Sequence, residues 1–151
     1  MKKLLSFAEK STLMNIRIKY GTENFQFNLF EELQVNENII NDEIKVQPSI
    51  SGFLGTLLTK LERIREDKEA EMQKIYHKLF ALNKAKVVES GRYASDDLAK
   101  SMAIANRKYQ DALKNYLIAK ENASHIKTCV NAFEQRSFLI QTLSANLRNK
   151  S

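Results

Sequence analysis

The scarcity of chain-breaking residues constrains this sequence more than anything else in it. Of 151 residues, four are Gly and one, Pro48, is Pro. After Gly55 the sole Gly is Gly91, and residues 95–148 contain neither type. Gly and Pro are the strongest local punctuators of regular structure. Two long stretches must therefore run uninterrupted, and their periodicity decides what they are.

Both stretches carry a helical period. In residues 49–89 apolar side chains recur at alternating spacings of four and three: Leu54, Leu58, Leu61, then Met72, Ile75, Leu79 and Leu82. Arg65 and Lys68 fill the seam between, which makes a heptad pattern with a polar break, as in a long helix lying along a partner. Ser49 or Ser51 is the predicted N-cap, with Pro48 ending whatever precedes it. Ser90-Gly91 closes this helix and Ser95 caps a second, whose first turn holds Asp96 and Asp97 in favourable dipole positions. The second seam starts at Leu98, Met102 and Ala105 and continues through Tyr109, Ala112, Tyr116, Ala119, Ala123, Ile126, Val130, Phe133 and Ser137. It ends at Ile140, Ser144 and Leu147. That register holds for about seven heptads without a stutter.

At about 1.5 Å per residue the helices reach roughly 60 and 80 Å. A short loop between two long helices makes them antiparallel neighbours. The predicted fold class is mainly α: a long antiparallel helical hairpin with coiled-coil-like heptads over residues 48–151. The second helix outruns the first, and its tail is apolar on more than one side. Within one hairpin that tail lacks a partner helix, so the N-terminal region or a second subunit must cover it. Sustained heptads usually serve oligomers, so a second subunit is the preferred cover.

Residues 1–47 form a separate N-terminal segment in this reading. Residues 15–20 and 24–30 alternate apolar with polar (Ile16, Ile18, Tyr20; Phe25, Phe27, Leu29), and Gly21-Thr22 lies between them. That is the signal of a small β-hairpin. Residues 31–46 read as a short acidic helix carrying Leu33, Ile39, Ile40 and Ile44.

Composition narrows the chemistry. No Gly-rich phosphate loop is present, which argues against a nucleotide hydrolase of the usual kind. His77 and His125 fall on different helices with no Cys or carboxylate at ligand spacing, so no metal and no cofactor is expected. Lys60, Arg63 and Arg65 interleave with Glu62, Glu66 and Glu69 as a solvated helix face. The residues offer no catalytic set, and the chain reads as a binding protein, not an enzyme. Cys129 is the single cysteine; in a helical pattern it reads as a small buried hydrophobe in a reducing compartment. The opening Met-Lys-Lys-Leu-Leu is too short an apolar run for a signal peptide, and no stretch nears the roughly 18 apolar residues of a span. A cytoplasmic protein with no membrane partner is expected.

The formal net charge is +6. Residues 31–47 hold five acidic side chains against one basic, whereas residues 90–151 hold ten basic against five acidic. The positive excess thus rides on the helical segments and the extreme N-terminus, which is compatible with a polyanionic partner and is also common on surfaces that bind nothing. One cluster stands out. Lys84, Lys86 and Arg92 flank the turn between the helices, with Tyr93 beside them and Lys78 one or two turns earlier. Basic side chains beside an aromatic can grip phosphates and stack a base. The competing reading is that a helix C-terminus attracts lysine through its dipole alone.

These residues resemble those of a known family. Lys84-Ala85-Lys86-Val87-Val88-Glu89-Ser90-Gly91-Arg92 is similar to the Lys-Ala-Arg-…-Ser-Gly-Arg segment of the UvsY-like recombination mediators of tailed phages. The run from Val130 through Arg136-Ser137-Phe138-Leu139-Ile140 is similar to that family's C-terminal helix, where an Arg and one small residue precede Phe and Ile. The resemblance spans roughly residues 50–147 with one gap near Glu89, and Val88-Glu89 stands where the family carries a tyrosine pair. It implies a ring-like homo-oligomer that binds single-stranded DNA in the host cytoplasm. Such a protein helps exchange a single-strand-binding protein for a recombinase during DNA recombination and repair. Carried to this chain, it implies phosphate contacts from Lys84 and Lys86 with Arg92 close by. It also implies an oligomer seam of Phe133, Phe138, Ile140, Leu143 and Leu147. The alternative is a helical structural or scaffold protein of a phage particle or complex, whose charges only keep it soluble.

Overall fold

The computed structural model describes residues 15–91, 93 and 95–149. Arg92 and the first 14 residues lie outside them. The chain is mainly α and divides into two compact units. One is built from the described residues of Met1–Thr59 and Ser124–Ser151, the other from those of Lys60–Ala123.

The first unit opens with the hairpin that the alternation predicts. Strand β1 (Asn15–Tyr20) pairs antiparallel with β2 (Glu23–Asn28), Ile16 opposite Phe27 and Ile18 opposite Phe25. Gly21 takes φ +60° while Thr22 stays out of the left-handed region, the pattern of a type II′ turn with Gly at its first central position. A hairpin alone is marginal in water. This one docks: Ile18 is buried, and the Phe25 ring lies 5.8 Å from that of Phe53. Asn28 then caps the single-turn helix α1 (Leu29–Glu32), its Oδ1 accepting the N–H groups of Phe30 and Glu31. A 3₁₀ turn (Glu37–Ile39) leads into the long helix α2 (Ile40–Glu89).

Helix α2 therefore starts upstream of the predicted caps Ser49 and Ser51, and Pro48 lies inside it. A proline there withholds the N–H that would bond the Ile44 carbonyl. Packing overrides that loss. The Pro48 ring is exposed, while Ile40 and Gln47 are buried and Leu54 and Leu57 follow on the same side. The predicted separate acidic helix is thus split between α1 and the opening turns of α2. Those turns give the tail of helix α4 (Arg107–Asn149) a partner in its own chain. Glu43 pairs with Arg136 and Gln47 with Phe133, so in this unit the two helices run antiparallel. Ile126, Cys129, Phe133 and Ile140 are all buried. Each large apolar side chain so buried contributes roughly 1.5–3 kcal/mol.

In the second unit α2 ends as a left-handed glycine cap. Gly91 has φ +73° and its N–H reaches the Val88 carbonyl at 2.9 Å. Ser95 caps helix α3 (Asp96–Ala105), its Oγ accepting the Leu98 N–H at 3.2 Å. The predicted unbroken second helix is interrupted at Asn106, which takes extended φ −70°, ψ 133°. Asn106 serves both ends: its N–H bonds the Ala103 carbonyl, and its Oδ1 accepts the Lys108 N–H at 2.9 Å. Asparagine competes for backbone groups in this way without any help from Gly or Pro. The interruption shifts the seam. Ala99 and Ala103 are wholly buried, whereas the predicted Leu98 and Met102 are exposed. From Tyr109 onward the predicted register holds as far as Ile140, with Ala112, Ala119 and Ala123 buried. Tyr109 meets Tyr76 at 5.8 Å between ring centroids, and Lys84 meets Asp96, so here too α2 runs antiparallel to the helices after the turn.

Candidate nucleic-acid interface

The basic cluster occupies the last turns of α2 and the linker beyond. Lys78, Lys84 and Lys86 are all exposed, and Tyr93 is 92% exposed, the most open large apolar side chain among the described residues. Such a ring stands free to take a planar partner on its face. Arg92, the fourth predicted cation, lies outside the described residues. Around Lys84 the helix surface forms a shallow hollow lined by Phe80, Ala81, Ala85, Val88 and Glu89. Its floor is apolar, with one cation and one carboxylate at the rim.

Two features of this cluster differ from the predicted grip. Residues two apart on a helix are separated by about 200° around its axis, so Lys84 and Lys86 leave opposite sides of α2. Lys78 and Lys86 are about 80° apart and share a flank. The structure therefore brings Lys84 beside Tyr93, and Lys86 toward Lys78, but does not bring Lys84 and Lys86 together. Second, Lys84 already holds a carboxylate. Its Nζ lies 2.7 Å from Asp96 Oδ1 and 5.7 Å from the centre of the Phe80 ring. The Asp96 hydrogen bond and charge push the Lys84 pKa up, Tyr93 adding a smaller push, and the same contact holds the Asp96 carboxyl below its usual range.

The five predicted seam residues fare unequally. Phe133 and Ile140 are buried inside the chain's own first unit, so they offer no surface to a second copy. Leu143 is half-buried, Leu147 is exposed, and Phe138 is 70% exposed beside exposed Leu139. Sequence reasoning missed Arg136, which is only 7% exposed. Its Nη1 donates to Gln47 Oε1 at 2.5 Å, its Nη2 to the Gln34 carbonyl at 2.9 Å, and it forms an ion pair with Glu43. Gln47 in turn donates to the Phe133 carbonyl at 2.7 Å. The signal was available: Arg136 lies three residues after Phe133 and four before Ile140, and Glu43 and Gln47 form an i,i+4 polar pair able to face it.

Among the described residues, no group of three or more His, Cys, Asp and Glu side chains is placed to hold a metal ion. Among the same described residues, no helix is long and apolar enough to cross a membrane. Comparison with protein-family models, with curated proteins and with solved structures returns no match.

Proposed function

We propose that this chain is a non-catalytic, self-associating protein that binds single-stranded DNA at the turn between α2 and α3, in the manner of a recombination mediator. The observation that carries the reading is the Tyr93 ring, 92% exposed in a linker whose preceding helix end holds Lys78, Lys84 and Lys86. A buried tyrosine would serve packing; an open one beside cations suits base stacking, worth about 1–3 kcal/mol per base. Single strands expose their base faces and duplexes do not, so this arrangement favours the former. The lysines supply the sequence-independent term, in which each neutralised phosphate releases a counterion. The net charge of +6 acts in the same direction. A recombinase and a single-strand-binding protein are the protein partners that the family resemblance supplies to this reading.

The test is anisotropy of a labelled single strand titrated with wild-type protein, Tyr93→Ala and Lys86→Ala. The Tyr93 variant should weaken binding about fivefold to a hundredfold at any salt. The Lys86 variant should flatten the salt dependence by about 0.7 in the log–log slope. Binding unchanged in both variants would remove the turn as the interface.

A second reading is favoured by a different observation. Phe138, 70% exposed beside exposed Leu139, is an apolar point on the outer side of α4. A helical scaffold protein needs such a point and needs no nucleic acid. Self-association in sedimentation without any single-strand binding would favour it.

A further inference from the structure

The Lys84–Asp96 pair bears on how the proposed interface is regulated, and this inference rests on the single-strand reading. We infer that Asp96 is a built-in competitor for phosphate, so that Lys84 contributes to nucleic-acid binding only when its contact with Asp96 opens.

A carboxylate oxygen 2.7 Å from the Lys84 ammonium occupies the place a phosphate oxygen would take. The pair is open to solvent, with side-chain exposures of 46% and 59%. Pairs of that kind hold weakly, so an incoming phosphate can displace the carboxylate without any rearrangement of the fold. The ammonium is also held from another side, above the Phe80 ring at 5.7 Å. Removing the carboxylate would therefore leave a positioned cation next to the open Tyr93 ring.

Asp96 complements the dipole from the first turn of α3, a role that does not require its contact with Lys84. The cap of α3 is already Ser95, whose Oγ accepts the Leu98 N–H. Asp97 remains in the first turn to complement the helix dipole, and it pairs with Lys100 at 3.8 Å along its own helix. Asp96 reaches across the turn to Lys84 of α2. The direction of both pKa shifts agrees with that contact, each partner stabilising the other's charged form. The consequence is a thresholded interface on this side of α2, in which Tyr93 makes first contact and Lys84 joins only as Asp96 is displaced.

A double-mutant cycle tests this: wild type, Asp96→Asn, Lys84→Ala and the pair, with Asp97→Asn as a charge-matched control. The readout is anisotropy of a labelled single-stranded oligonucleotide between about 50 and 200 mM salt, with circular dichroism to confirm that each variant is folded. Asp96→Asn should tighten binding severalfold at low salt. Its log–log salt slope should steepen by about 0.7, so its advantage shrinks by roughly threefold across that range. In the Lys84→Ala background the Asp96→Asn gain should vanish, because no ammonium is left to take the freed contact. Equal binding by wild type and Asp96→Asn would overturn the inference and leave the single-strand reading standing. So would a gain that persists without Lys84, or one that Asp97→Asn reproduces in full. No binding by any variant would remove both.

Discussion

Replacing Arg136 by Ala should be among the most damaging single substitutions in this chain. Arg136 is 7% exposed, and its guanidinium joins Glu43, Gln47 and the Gln34 carbonyl. Truncation strands a largely buried carboxylate at Glu43, whose side chain is 17% exposed, together with two acceptors. Removing one partner of a buried pair costs about 3–5 kcal/mol. Against a typical domain stability of about 5–15 kcal/mol, that approaches global unfolding. The intact network is itself imperfect, because Arg136 Nε is buried with no hydrogen-bond partner, a defect worth about 1–3 kcal/mol. An apolar replacement of both charges removes the defect along with the pair. Arg136→Met with Glu43→Leu removes the stranded carboxylate but still leaves the Gln47 and Gln34 acceptors without their donor, so it should recover most of the loss seen for Arg136→Ala and lie about 1–2 kcal/mol below wild type. Urea unfolding followed by circular dichroism at constant m-value measures all three proteins. A loss below about 1 kcal/mol for Arg136→Ala would refute the reasoning, as would a double variant no better than the single one.

Two further outcomes rest on the same packing. Pro48→Ala restores the missing N–H at an exposed site and should raise stability by about 1–3 kcal/mol, read as a higher urea midpoint; no increase would mean that the helix bears the proline without cost. Burial pushes the Cys129 thiol up to about 11 from 9.0, so between those values the unfolded chain loses a proton that the folded chain keeps. Stability should be unaffected below pH 9 and fall by about 2–3 kcal/mol as pH rises to 11. Subtracting the pH profile of Cys129→Ala isolates this effect, and identical profiles would contradict it.

Much of the fold was legible because periodicity carries it. The alternation around Gly21-Thr22 specified the hairpin and its turn, and the seam from Tyr109 to Ile140 is where the structure buries it. The misreadings share a cause: local signals lost to contacts from distant residues or to side chains not counted as breakers. Pro48 reads as a stop, yet Gln47 and Glu43 anchor the helix around it through Arg136, some 90 residues away in sequence. Asn106 breaks the second helix with its own amide oxygen, and that shifts burial from Leu98 and Met102 to Ala99 and Ala103. At the candidate site the residue types were legible and their arrangement was not. A period of about 100° per residue already separates Lys84 from Lys86. The engagement of Lys84 by Asp96 was hidden, because a first-turn aspartate is accounted for by the helix dipole alone.

The most direct test of the central claim compares fluorescence anisotropy of labelled single-stranded and duplex oligonucleotides titrated with the wild-type chain at low and moderate salt. The account predicts tighter binding to the single strand, weakening as salt rises and lost on replacing Tyr93 and Lys86 together. Equal affinity for the duplex, or no binding even at low salt, would contradict it and leave a helical scaffold protein whose basic charge is ordinary surface.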